Sequence, residues 1–97
     1  MVRIWNIRDR NCPKNALYIG RAMIDRKASK YQNPFKIGVH GTREEVLEEY
    51  RIHAKVMLLQ DPHWLDEFKQ ATDACCWCVP LPCHGDILNE LAKEQGE

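Results

Sequence analysis

Apolar positions in this chain recur first with period two and later with the period of a helix. Val2, Ile4 and Asn6 alternate with Arg3, Trp5 and Ile7, which predicts a short strand with Trp5 and Ile7 on one side. Arg8 to Asn15 is polar, contains Pro13 and reads as a loop, with Cys12 alone in it. Ala16-Leu17-Tyr18-Ile19 is a second strand candidate. It ends at Gly20, which allows a sharp turn or a close approach, and Arg21 follows with its planar fork of donors. Residues 22–33 are basic and poor in apolar side chains, hence a loop. Asn33-Pro34-Phe35 closes it: Pro34 keeps Asn33 out of the helical region and Phe35 anchors the loop on the core. Lys36-Ile37-Gly38-Val39 is read as a further short strand before His40-Gly41.

From residue 42 the period changes. Thr42-Arg43-Glu44-Glu45 has the Thr-x-x-Glu form of a capping box, and Val46, Leu47, Tyr50, Ala54, Met57 and Leu58 continue at helical spacing. His53, beside that apolar stripe, is read as a packed or surface residue. Asp61-Pro62 predicts a second helix, with Asp as cap and Pro in the first helical position, burying Trp64, Leu65 and Phe68. A late strand then puts Cys76 and Cys78 on one face and Cys75 and Trp77 on the other. Pro80 and Pro82 stop it, and Asp86 is the expected N-cap of a last helix carrying Ile87, Leu88, Leu91 and Ala92. The expected architecture is α/β: one small domain over residues 1–97, a short mixed sheet packed by about three helices.

Composition refines this picture only a little. At 97 residues, 44% apolar and 29% charged, the chain has the make-up of one globular unit, and no apolar run approaches the length of a membrane helix. The first residues lack the apolar core of a secretion signal, so the five cysteines are expected as reduced thiols in cytoplasm, with no membrane partner. The net charge of zero hides a division. Residues 1–41 hold nine basic and two acidic side chains, the remainder five basic and twelve acidic. A basic half points to an anionic partner, although ion pairs between the halves would account for it equally well.

Four of the five cysteines and one of the four histidines fall between Cys75 and Asp86. One chemistry available to them is metal binding: Cys76, Cys78, Cys83 and His84 form a Cys3His set suited to zinc or iron, though Cys-x-Cys is not the usual zinc-knuckle spacing. The plain alternative is small polarizable side chains packed with Trp77. A second chemistry is recognition of a phosphorylated ligand, a nucleotide-like small molecule or nucleic acid, by Tyr18, Gly20, Arg21 and Asn33 with the helix mouth His84-Gly85-Asp86. No Gly-x-Gly-x-x-Gly or Walker sequence accompanies it. A third is thiol catalysis, with Cys78 or Cys83 as nucleophile and His84 or His40 as base; adjacent Cys83 and His84 point apart on most backbones. No His-x-Glu sequence is present, which argues against zinc-dependent deamination. A fourth reading has no chemistry of its own: occupation of a host protein through exposed aromatics and charge.

Taken in order, Tyr18-Ile19-Gly20-Arg21, Asn33-Pro34-Phe35, Arg43-Glu44-Glu45-Val46 through Tyr50-Arg51, and Cys76-Trp77-Cys78-Val79-Pro80 through Cys83-His84-Gly85-Asp86 resemble the family known as domain of unknown function 4326, of bacteriophages and bacteria. The likeness spans nearly the whole chain, and its final Cys-Trp-Cys, Pro, Cys-His-Gly-Asp motif is the specific part. The family carries no established activity. The resemblance implies that these pieces meet in one site and that the setting is a bacterial or phage-infected cytoplasm.

Overall fold

In a computed structural model, which describes residues 1–77, 81 and 83–96, the period-two segments form a sheet of three short strands. They are β1 (Arg3–Asn6), β2 (Leu17–Tyr18) and β3 (Asp73–Cys76). The last strand in sequence is the central one. β3 lies between β1 and β2 and runs parallel to both, pairing Ile4 and Leu17 with Ala74, and Trp5 and Tyr18 with Cys75. The expected mixed sheet is therefore parallel throughout the described residues. The physical reason lies in the connections: each link carries the chain from the end of the sheet where one strand finishes across to the opposite end, where the next strand starts.

Register and alternation assign the two faces. Val2, Ile4, Leu17, Ile19, Ala74 and Cys76 share the side that enters the hydrophobic core. On the other side Trp5 hydrogen-bonds Asp73 Oδ1 through Nε1 (2.8 Å), the Arg3 guanidinium lies 4.2 Å from the centre of its ring, and Cys75 meets Cys12 from the loop after β1. Helices cover the first side, loops and arginines the second.

The long helix α1 (Arg43–Gln60) begins as its sequence predicts. Thr42 Oγ1 accepts from Glu45 N–H and Glu45 Oε1 accepts from Thr42 N–H, both halves of a capping box, and Val46, Tyr50 and Ala54 are buried along one stripe. Arg51 pairs with Glu48 (3.4 Å) and with Glu90 on α3 (His84–Gly96). The next helix, α2 (Asp66–Gln70), starts later than Asp61-Pro62 predicts. Asp61 is the C-cap of α1, donating to Met57 O, while its side chain accepts from His63 N–H (3.0 Å) and its carbonyl from Trp64 N–H. Those bonds spend residues 62–65 on turns. Trp64, Leu65 and Phe68 are buried as expected.

Two further expectations are corrected. Lys36–Val39 forms no strand: Val39 and His40 N–H both turn back to Lys36 O, Gly38 sits at φ +86°, and only an isolated bridge links Ile37 to Gly41. At α3 the N-cap is Cys83, three residues before Asp86. Cys83 Sγ accepts from Gly85 N–H (3.3 Å), and Asp86 Oδ2 accepts from Cys83 N–H (3.1 Å), a capping box in which sulfur takes the place of the hydroxyl. Pro80 and Pro82, read as the end of the strand, lie outside the described residues. Asn89 exchanges two hydrogen bonds with the backbone of Val2, and Gly85 lies so close to the sheet that a Cβ there would stand 3.0 Å from Ile4 and 3.1 Å from Ile19. The first turn of α3 is thereby fixed against the sheet, which sets the position of the site.

Candidate functional site

β2 ends in a fold-back in which the missing Cβ of Gly20 leaves room for the Tyr18 ring. The Tyr18 hydroxyl donates to Arg21 O (2.5 Å), so its ring passes over Gly20, where a Cβ would lie 2.6 Å from the phenolic oxygen. Arg21 then reaches across the following loop. Its Nε donates to Asn33 O (3.0 Å) and its Nη2 to Phe35 O (2.8 Å), while Asn33 Oδ1 accepts from Phe35 N–H in an Asx turn. Two of the five guanidinium donors thus organise the Asn33-Pro34-Phe35 turn. Phe35 packs edge-on against His40 and against His53 of α1, anchoring the loop as its sequence predicts.

The end of β3 and the start of α3 come to the same place. Gly20, Arg21, Asn33, Cys76, Cys83 and His84 all line one cleft of about 380 Å³. Its basic side chains are Arg21, Lys36 and Arg43; its apolar wall is Phe35, Ile37, Val39, Val46, Leu47 and Trp77. No carboxylate lines it among the described residues. Tyr18, Gly85 and Asp86 stand behind the wall: Tyr18 OH accepts from Trp77 Nε1 (3.3 Å), Gly85 packs on the sheet, and Asp86 holds the cap. Lys36, Arg43, Val46 and Leu47 were not expected here. The capping box at Thr42, which puts Arg43 at the first helical position beside the loop, was the signal available for one of them.

His84 is buried, and its Nε2 lies 2.6 Å from Ile19 O with the Tyr50 ring edge-on at 5.1 Å. A carbonyl only accepts, so Nε2 carries the hydrogen and Nδ1 the lone pair. Burial holds this imidazole below its ordinary value of 6.5, with the charge of Arg21 acting in the same direction and the Ile19 carbonyl and Asp86 opposing. The sign for stability follows. The unfolded chain takes up the His84 proton near pH 6.5 while the fold still refuses it, so stability is intact above that pH and falls below it, until the folded-state value is passed. Thermal unfolding between pH 7.5 and 5.5 is expected to show a falling Tm in the wild type and a shallower fall in His84→Gln; equal slopes would exclude this contribution.

The sulfurs of Cys76 and Cys83 are 3.5 Å apart, both buried. With His84 Nε2 engaged by Ile19, a metal held here would take His84 through Nδ1 or draw on Cys78, which lies outside the described residues. Among the described residues no group of three or more His, Cys, Asp or Glu is arranged to hold a metal. His40, the other base considered, has Nδ1 occupied by Lys36 N–H (2.9 Å) and is not part of the cleft lining. Cys75 faces away, and burial pushes its thiol up to about 11. No helix of the described residues is long and apolar enough to cross a membrane.

No curated protein and no solved structure matches the chain. A family model does, described as domain of unknown function DUF4326, over residues 2–94. That span contains all three strands, α1, α2, all but the last two residues of α3 and every residue of the cleft, and the chain belongs to the DUF4326 family.

Proposed function

We propose that the cleft binds a phosphorylated ligand of nucleotide size, in a bacterial or phage-infected cytoplasm. The observation that carries this is the composition of its wall: three cationic side chains, Arg21, Lys36 and Arg43, and, among the described residues, no carboxylate in the lining of a cavity of about 380 Å³ with a broad apolar side. A lining rich in cationic side chains favours an anion, and Phe35, Val46, Leu47 and Trp77 favour an organic body attached to it, such as a base. The mouth of α3 contributes field more than donors, because Gly85 and Asp86 N–H are already turned to Cys83.

Calorimetric titration at low salt with inorganic phosphate and with adenosine monophosphate tests the reading. The nucleotide is expected to bind more tightly than phosphate, and exposed Lys36, changed to Gln, to weaken both by roughly fivefold, about 1 kcal/mol. Absence of heat with both ligands, confirmed by unchanged amide chemical shifts, would remove the proposal.

A further inference from the structure

Cys76 closes β3 and Cys83 caps α3, seven positions apart in sequence, and the fold brings their sulfurs to 3.5 Å at the floor of the cleft. Both residues are almost wholly buried, at 1% and 2% exposure, yet both line a cavity open to small solutes. The distance from contact to a covalent bond is short: a disulfide has its sulfurs about 2 Å apart, so a closure of about 1.5 Å completes it. Cys75 is the neighbour in sequence but not in space, since alternation puts it on the opposite face against Cys12.

From this geometry we infer that Cys76 and Cys83 are a modification site, a thiol pair that a peroxide entering the cleft converts to an intramolecular disulfide and a reductant restores. The reaction balances in two steps. Cys83, whose sulfur already has the Gly85 N–H aimed at it, attacks one peroxide oxygen; the O–O bond breaks, the sulfur becomes a sulfenic acid, and the departing oxygen takes the thiol proton to leave as water. Cys76 then attacks the sulfenic sulfur, the S–O bond breaks, and the hydroxyl leaves with the Cys76 proton as a second water. Two thiols lose two electrons, and one peroxide gains them. The product ties the end of the central strand to the cap of α3 beneath the cleft. The inference is independent of which ligand the cleft receives, because it needs only the two sulfurs and access for a small oxidant.

The test is hydrogen peroxide treatment of the folded full chain, followed by alkylation, intact mass measurement and peptide mapping. Measured before alkylation, the expected product is lighter by about 2 Da, the two hydrogens of one disulfide, with peptides carrying Cys76 and Cys83 joined in the alkylated digest and the original mass regained with dithiothreitol. Cys76→Ala and Cys83→Ser are expected to abolish the mass loss, the latter keeping an N-cap oxygen so that α3 stays capped; Cys75→Ala and Cys12→Ala are expected to retain it. A bridge that includes Cys75, Cys78 or Cys12, a mass gain from sulfinic acid in place of the loss, or no change in folded protein whose thiols react once denatured would each overturn the assignment.

Discussion

Tyr31→Phe is expected to destabilise the protein by about 2–4 kcal/mol, from the loss of a single oxygen atom. Tyr31 is fully buried in a stretch that is otherwise mostly loop. Its hydroxyl donates to Trp64 O (2.7 Å) and accepts from Phe68 N–H (3.2 Å), and its own carbonyl accepts from the Tyr50 hydroxyl (2.7 Å). The second of these bonds has a particular role. α2 has only five residues and no side-chain cap of its own at Leu65, so the Phe68 N–H, one of the orphaned donors of its first turn, is satisfied by a phenol from far earlier in the chain. Burial raises both tyrosines above their usual range, which keeps both hydroxyls protonated and donating. Removing the Tyr31 oxygen strands one carbonyl and one N–H, each worth about 1–3 kcal/mol when buried without a partner. The Tm should fall by roughly 10 °C or more. Urea unfolding measures the loss, and a value below about 1 kcal/mol would show that water or relaxation replaces both bonds. Tyr50→Phe removes the other hydroxyl, and its coupling to Tyr31→Phe in a double-mutant cycle should be well above zero because the two share one network.

Arg21→Ala is expected to act mainly on the cleft. The side chain is exposed, so global stability should drop by only about 1 kcal/mol, the scale of its hydrogen bonds to Asn33 and Phe35 carbonyls. Those two bonds, however, hold the turn that carries Phe35 and leads into Lys36. Their loss should speed amide exchange over residues 33–41 and lower affinity for phosphate and adenosine monophosphate by more than roughly tenfold, since a charge and the shape of the wall go together. Arg21→Lys separates the two effects. It keeps the charge but not the fork, so it should leave the loop loosened and recover only part of the affinity. Unchanged exchange in Arg21→Ala would mean the turn holds itself through Asn33 and Pro34 alone, and the positioning role of Arg21 would fall.

Much of the fold was legible wherever local chemistry decides. The capping box at Thr42 and the stripe of Val46, Tyr50 and Ala54 place α1 with no help from the rest of the chain. Gly20 followed by Arg21, and Asn33-Pro34-Phe35, mark their turns for the same reason. Errors arose where a local signal had two uses. Asp61-Pro62 has the form of a helix start, yet Asp61 ends α1 and opens a turn. Asp86 has the form of an N-cap, yet it is the third helical residue reaching back to a cysteine cap, because the chain had already entered the helix at His84 against the sheet. Lys36–Val39 alternates like a strand but pairs with no strand among the described residues, and His40 and Gly41 fold it into turns instead.

By itself the amino-acid order determined the three strand segments, the capped helix α1, the apolar stripe of α3 and the turns at Gly20 and Asn33, because propensity, capping and periodicity act within a few positions. Only the tertiary structure decided that the last strand enters between the first two, which puts Cys76 on the same buried face as Ile4 and Ile19 and brings Cys83 and His84 beside Arg21. The same packing turned Arg21 into the clamp of a loop, placed Lys36 and Arg43 around it, and spent the donors at the head of α3 on Cys83. Strand order and side-chain partners are settled by which apolar surfaces fit together across dozens of residues, and no short window of sequence contains that information.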